Sequence, residues 1–345
     1  MAQPADPSQS VLPKRSELPT LPDAPAGAAW IWGNDDEVRC KYCVEIITTL
    51  MHSLLAPAGS LEYAHASPQT CGGQTYPNRR DDQPGPSLRS DLPSPPVFGR
   101  EPFRHEIKKL NGGQGNDDLF YMNTQSGSQW DGYRHVAAKH NEQWVFYNGI
   151  MQDDIESPQR SGGMQAWAEH GVVGRAVLLD VWSHLKKSYD PFTTRAITLD
   201  ELKSCAQAQG VQFQYGDVLI VRSGWLDAYH GMNPAARQAL GDVKDYAHEF
   251  VGVEQTSEML DFLHDNYFSA VAGDTPGFEA WPPKPPHVLH AHLLPLWGLP
   301  IGEMWDLEEL AETCKKYNQY AFFFSSSPSN VPGGVGSHPN AMAIF

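Results

Sequence analysis

Two runs, VGRAVLLDVW from Val173 to Trp182 and DVLIVRS from Asp217 to Ser223, decide the fold class. Both are apolar, of strand length, rich in Val, Leu and Ile, and bounded by Gly or polar residues, as strands buried on both faces are. Between them the sequence marks both ends of a helix. Thr198 and Glu201 form an S/T-x-x-E capping box, and Gly210 stops the pattern of Leu202, Cys205 and Ala206. Further along, a helix from about Glu254 to His264 precedes the strand-like Phe268 to Ala272. A helix from Asp306 to Tyr317, with Leu307, Leu310, Ala311 and Cys314 at helical spacing, precedes Tyr320 to Phe324. Ala341 to Phe345 reads as the end of a buried, packed strand, and the Gly- and Pro-rich Ser327 to Pro339 as a loop of the kind that walls active sites. The chain is predicted to be mixed α/β.

The 345 residues suit one domain behind an N-terminal arm. Met1 to Gly27 is the arm, rich in Pro and Ala, either trailing in solvent or draped over the body or a neighbouring subunit. Residues 28–345 form the domain, with about 38–85 atypical: an apolar helical piece around Val44 to Leu55 leads into Gly, Pro, Gln and Arg, and low order is expected there. A formal charge of -16 argues against nucleic-acid or anionic-membrane partners. Five cysteines without a framework fit a reducing compartment, and the pair Cys40 and Cys43 lacks the companions of a zinc or redox motif. With no signal-like or bilayer-length apolar run, a cytoplasmic location is expected.

The chemistry is concentrated in NTQSGSQWDGYRH, Asn123 to His135. In an extended strand Gln125, Gly127, Gln129 and Asp131 face one side, so three oxygen-bearing side chains converge and Gly127 leaves room between them. Gly132 permits a turn from which His135 folds back over the same point. The plainer alternative is a polar strand at a wet sheet edge, with His135 in a structural hydrogen bond.

This run resembles the signature H-x-G-T-H-x-D-x-P-x-H of the metal-dependent cyclase family typified by bacterial kynurenine formamidase and including isatin hydrolases, in a variant where S/T-Q-W-D-G replaces part of it. Further blocks resemble the family in order: Ala28 to Glu37, Gly174 to Val181, Gly216 to Trp225, Val271 to Pro282, His290 to Leu307 and Phe322 to Ile344. The resemblance implies a single-domain swivelling β/β/α fold, a dimer or larger homo-oligomer, and one or two divalent ions. It implies that Asp131, His290 and Glu303 bind metal and that His135 transfers protons. Gln125 and Gln129 stand where the typical family has histidine ligands, Ser128 replaces threonine and Tyr133 replaces proline. A carboxamide oxygen is a harder, weaker ligand than imidazole, so manganese or magnesium is favoured over zinc, or no ion at all.

The expected function is hydrolysis of a C–N or C–O carbonyl bond in a small amide, lactam or lactone, or the reverse ring closure. The alternatives are a metal-free cyclase or dehydratase using His135 and Asp131, and a non-catalytic binding protein. Other residues have plainer readings. His292 is a fallback for His290, Glu303 could serve the dipole of the next helix, His140 reads as a surface residue, and Arg222 and Asp274 as ion-pair members. Trp130, Trp225, Trp281, Trp297 and Trp305 read as core or wall.

Overall fold

In the computed structural model, residues 12–30, 36, 93–157 and 162–345 are described, together with the backbone of 69–71. The helical piece at Val44 to Leu55, the low order expected over residues 37–86 and the Cys40–Cys43 pair therefore lie outside the described residues, apart from a strand at 69–71.

Among the described residues the main sheet has nine strands, β1 (Gln69–Cys71), β2 (Gln129–Asp131), β3 (Val172–Asp180), β4 (Val218–Arg222), β5 (Ala270–Gly273), β6 (Ile301–Glu303), β7 (Ala321–Ser326), β8 (Gly336–Ser337) and β9 (Ala341–Ile344). Their order is β1-β9-β7-β3-β4-β5-β6-β2-β8. The centre, β3 to β6, is parallel, and the flanking pairs are antiparallel.

The central apolar runs are continuous because both faces of the sheet are covered. Along β3 and β4, Val177, Leu179, Leu219 and Val221 point into one core with Leu202 and Leu263 of the helices Leu199–Gln209 and Ser257–Asp265. Their neighbours Ala176, Leu178, Val218 and Ile220 point into a second core with Trp130, Trp305, Phe324 and the helix Glu308–Tyr317. Each fully buried aliphatic side chain contributes about 1.5–3 kcal/mol. The two layers account for the α/β class and for the single body.

Local signals hold at the predicted ends. Thr198 Oγ1 accepts from Glu201 N at 3.2 Å, Glu201 Oε2 accepts from Thr198 N at 2.9 Å, and Gly210 closes the helix at φ 67°. The helix expected from Glu254 begins at Ser257, because Thr256 caps it. The arm drapes over the body from Leu12 onward: Arg15 pairs with Asp261 at 2.6 Å, and Leu12 and Ala24 are buried. No helix among the described residues is long and apolar enough to cross a membrane.

Candidate active site

Strands β2 and β6 carry the site. Their antiparallel register puts Glu303 opposite Gln129 and Ile301 opposite Asp131, so period-2 alternation turns Gln129, Asp131 and Glu303 to one face. Trp130, between them, turns to the other face, where its ring meets Trp305 edge-on at 4.7 Å and its Nε1 donates to Ser326 Oγ at 2.9 Å. Trp305 Nε1 donates to the carbonyl of Gln129 at 2.9 Å, fixing the strand edge. The loop expected to wall the site does so through Val335, whose carbonyl accepts from Gly132 N at 3.0 Å. A Cβ at Gly336 would lie 2.4 Å from Gln125 Nε2 and 2.7 Å from the Trp130 carbonyl, so this close approach requires glycine.

One expectation is corrected. Gln125 to Asp131 is not one strand, because only Gln129–Asp131 is extended. Asn123 turns the chain before it: its Oδ1 accepts from Gln125 N at 2.9 Å and its carbonyl from Ser126 N at 3.0 Å, an Asx-type turn. Gln125 reaches the site from that turn, by its own route.

The site residues converge. Gln129 Nε2 lies 2.6 Å from Gln125 Oε1, 2.9 Å from Asp131 Oδ1 and 2.8 Å from Glu303 Oε2, three oxygens around a nitrogen with two hydrogens. His290, on the short helix Leu289–Leu293, sets Nε2 at 2.9 Å from Glu303 Oε1 and 3.5 Å from Asp131 Oδ2. His135 follows the turn after Gly132, its amide donating to the Gly132 carbonyl at 3.0 Å, and its Nε2 stands 4.0 Å from Asp131 Oδ2. His292 is not part of this group, since its Nδ1 donates to the Val288 carbonyl at 2.8 Å.

Two contributors carry no motif of their own. Glu279, fully buried, accepts from His290 through the main-chain N at 3.2 Å and through Nδ1 at 2.6 Å. The Arg100 guanidinium donates to the carbonyl of Gln125.

The electrostatics follow from three carboxylates in one dry place. Burial, reinforced by the charge of Asp131, pushes the Glu303 carboxyl up to about 7. Burial also acts to raise Asp131, but His135 and His290 hold it below its usual value. Burial lowers His135, against the pull of Asp131, so it is a neutral base near neutrality. Burial opposes charge on His290 as well, yet Glu279, Asp131 and Glu303 outweigh it and raise it well above the ordinary histidine value.

The donor set suits a cation. Asp131, His290 and Glu303 each offer one ligand atom to a common point, with His290 Nε2 2.9 Å from Glu303 Oε1 and 3.5 Å from Asp131 Oδ2, inside the roughly 4.4 Å that donors about 2.0–2.2 Å from one ion can span. Asp131 Oδ2 and Gln129 Oε1 are buried without a hydrogen-bond partner, two acceptors that a cation would satisfy.

A model of the cyclase family matches residues 55–280, well over half of the chain. The chain belongs to the cyclase family. Among solved structures it is similar to a novel cyclase, at 24% identity over 92% of this chain and 99% of that one, with a TM-score of 0.69. It is similar at TM-score 0.51 to isatin hydrolase A from Ralstonia solanacearum, 15% identical over 80% and 90% of the two chains. The same TM-score of 0.51 relates it to an isatin hydrolase bound to the product analogue thioisatinate, 13% identical over 71% and 82%. These likenesses are of fold. Comparison with curated proteins gave no match.

Trp130, Trp225, Trp297 and Trp305 are core, and Trp281 is half-buried. Arg222 pairs with Asp180 at 2.8 Å and Glu308 at 2.6 Å. Asp274 is held by hydrogen bonds from Ser223 N, Ser223 Oγ and Gly224 N at 2.7–2.8 Å, so an ion pair is not what fixes it.

Proposed function

We propose that this cyclase-family chain is a metal-dependent hydrolase of small amides, lactams or lactones, or the corresponding ring-closing enzyme. The observation that carries this reading is Asp131 Oδ2, a buried acceptor with no hydrogen bond, standing 3.5 Å from His290 Nε2 and 4.0 Å from His135 Nε2. Such an atom is costly to bury unless something positive meets it; without a metal that charge is the protonated His290, which a bound cation would replace. Asp131, His290 and Glu303 would hold a divalent ion, with Gln125 and Gln129 adding carboxamide oxygens after rotation of the Gln129 amide. A set of mainly oxygen donors favours manganese or magnesium over zinc.

When bound, the ion would supply polarisation of the carbonyl and a more acidic water. The chain supplies the rest. His135, kept neutral by burial and 21% exposed at the mouth of the site, takes a proton from the attacking group through Nε2 and returns it to the leaving nitrogen or oxygen. Asp131 stabilises the imidazolium formed in between. Glu279 keeps the Nδ1 proton of His290 in place, so that Nε2 faces Asp131 and Glu303.

A second reading is favoured by Gln129, whose Nε2 already sits among three oxygens where a cation would otherwise be needed. In that case His135 and Asp131 act alone as acid and base. Turnover of a panel of amides, lactams and lactones with added manganese, and again with chelator, separates the two. Loss of turnover with chelator and recovery on adding metal supports the first reading, whereas undiminished turnover in chelator supports the second.

A further inference from the structure

Arg100 stands beside the carboxylates of the site and pairs with none of them. Its guanidinium donates to the carbonyl of Gln125, whose side chain lies 2.6 Å from Gln129 at the centre of the site. It is close enough for its charge to act on Asp131, His135 and Glu303. Yet among the described residues Arg100 makes no ion pair, and the rest of its N–H groups have no protein acceptor. Other arginines of this acidic chain do find carboxylates: Arg15 with Asp261, Arg175 with Asp217, Arg195 with Glu201, and Arg222 with Asp180 and Glu308.

The guanidinium is also held in place. Its Cζ lies over the Phe98 ring, 5.3 Å from the centroid. Phe98 takes φ 61°, a left-handed conformation that a bulky side chain rarely adopts. The rings of Tyr246, His248, Phe250 and Trp281 pack around it at centroid distances of 4.8–6.1 Å. Trp281 follows by two residues Glu279, which anchors His290, so the aromatic patch and the site share a chain segment. Phe98, Arg100 and Trp281 are half-buried and Tyr246 is exposed, so the guanidinium is open to solvent on one side. A planar fork of N–H groups beside an apolar wall matches a carboxylate, which accepts two parallel hydrogen bonds from it. A chain of charge -16 repels anions as a whole, and a local cation of this kind is what admits one.

We propose that Arg100 binds a carboxylate carried by the substrate, apart from the carbonyl that reacts, so that the site selects acid-bearing amides, lactams or lactones. The inference rests on the hydrolase reading above for the reacting carbonyl, and on Arg100 alone for the preference in charge.

The test is equilibrium binding to the full chain by ligand-observed NMR, with manganese and again with chelator. The probes are isophthalamate and terephthalamate, each against its uncharged diamide, which has the same shape and one charge fewer. The unsubstituted protein should bind at least one acid about ten- to a hundredfold more tightly than its diamide in both conditions. Arg100→Gln should abolish that preference and leave the affinity for the diamide close to its original value. Arg100→Lys, a point charge without the fork, should keep part of the preference. Arg104→Gln, which removes an equal charge from an exposed strand, should keep all of it. Equal affinity for acid and diamide in the unsubstituted protein would overturn the proposal. So would a preference that Arg100→Gln leaves unmoved, which would belong to the ion or to the bulk charge, or a weakening of acid and diamide together, which would make Arg100 a support of the site. Failure of the metal-hydrolase reading would show in the turnover assay and leave the preference in chelator intact.

Discussion

Glu279 holds His290 by two points, Nδ1 at 2.6 Å and the main-chain N at 3.2 Å, and so decides which imidazole nitrogen faces the carboxylates of Asp131 and Glu303. Partners of this kind, behind a ligating histidine, typically affect metal affinity by about ten- to a hundredfold. Glu279→Ala should therefore weaken manganese binding by about that much, measured by competition with a chelating dye. Glu279→Gln, which still offers an oxygen to Nδ1, should lose less. Equal affinity in all three proteins would show that Glu279 does not act on the ligand.

His135 is expected to matter for rate more than for binding or stability. It touches Asp131 only at 4.0 Å and is partly exposed, so its removal leaves little unsatisfied. His135→Ala should lower kcat by about a hundred- to ten-thousandfold while metal content and Tm stay close to those of the unsubstituted protein. Because burial lowers its proton affinity, the rate should fall on the acid side as pH drops below the ordinary histidine range. A variant with full kcat would remove His135 from the chemistry.

Glu303 makes the metal-free protein sensitive to pH in a stated direction. Its carboxyl is raised to about 7 from 4.5, so the folded state binds a proton that the unfolded state has released. Stability from that proton is fully present below about 4.5 and lost as pH rises through about 7. In chelator, the Tm difference between the unsubstituted protein and Glu303→Gln should therefore shift against the unsubstituted protein from pH 5 to pH 8. Adding a divalent cation at pH 8 should restore stability to the unsubstituted protein. A pH-independent difference would contradict the assignment.

The sequence exposes this fold where one residue pattern has one physical meaning. The runs at Val173 and Asp217 could be read because covering both faces of a parallel strand demands continuous apolar residues, and Thr198 with Glu201 because an unsatisfied helix end demands a cap. The facing of Gln129 and Asp131 followed from alternation alone. Gln125 reached the same place by an Asx-type turn, which alternation does not describe. Glu279 was not legible: a carboxylate eleven residues before the histidine it holds has no periodic sign, and only the chain path from β5 to the helix at Leu289 brings them together. Arg100, in a Pro-rich stretch, was hidden for the same reason.

The central claim is that Asp131 binds a divalent cation. Elemental analysis of the purified protein and of Asp131→Asn, each after incubation with manganese and removal of free metal, tests it most directly. Near-stoichiometric metal in the unsubstituted protein and little in Asp131→Asn is the predicted result. Metal in neither protein, or equal metal in both, would contradict it.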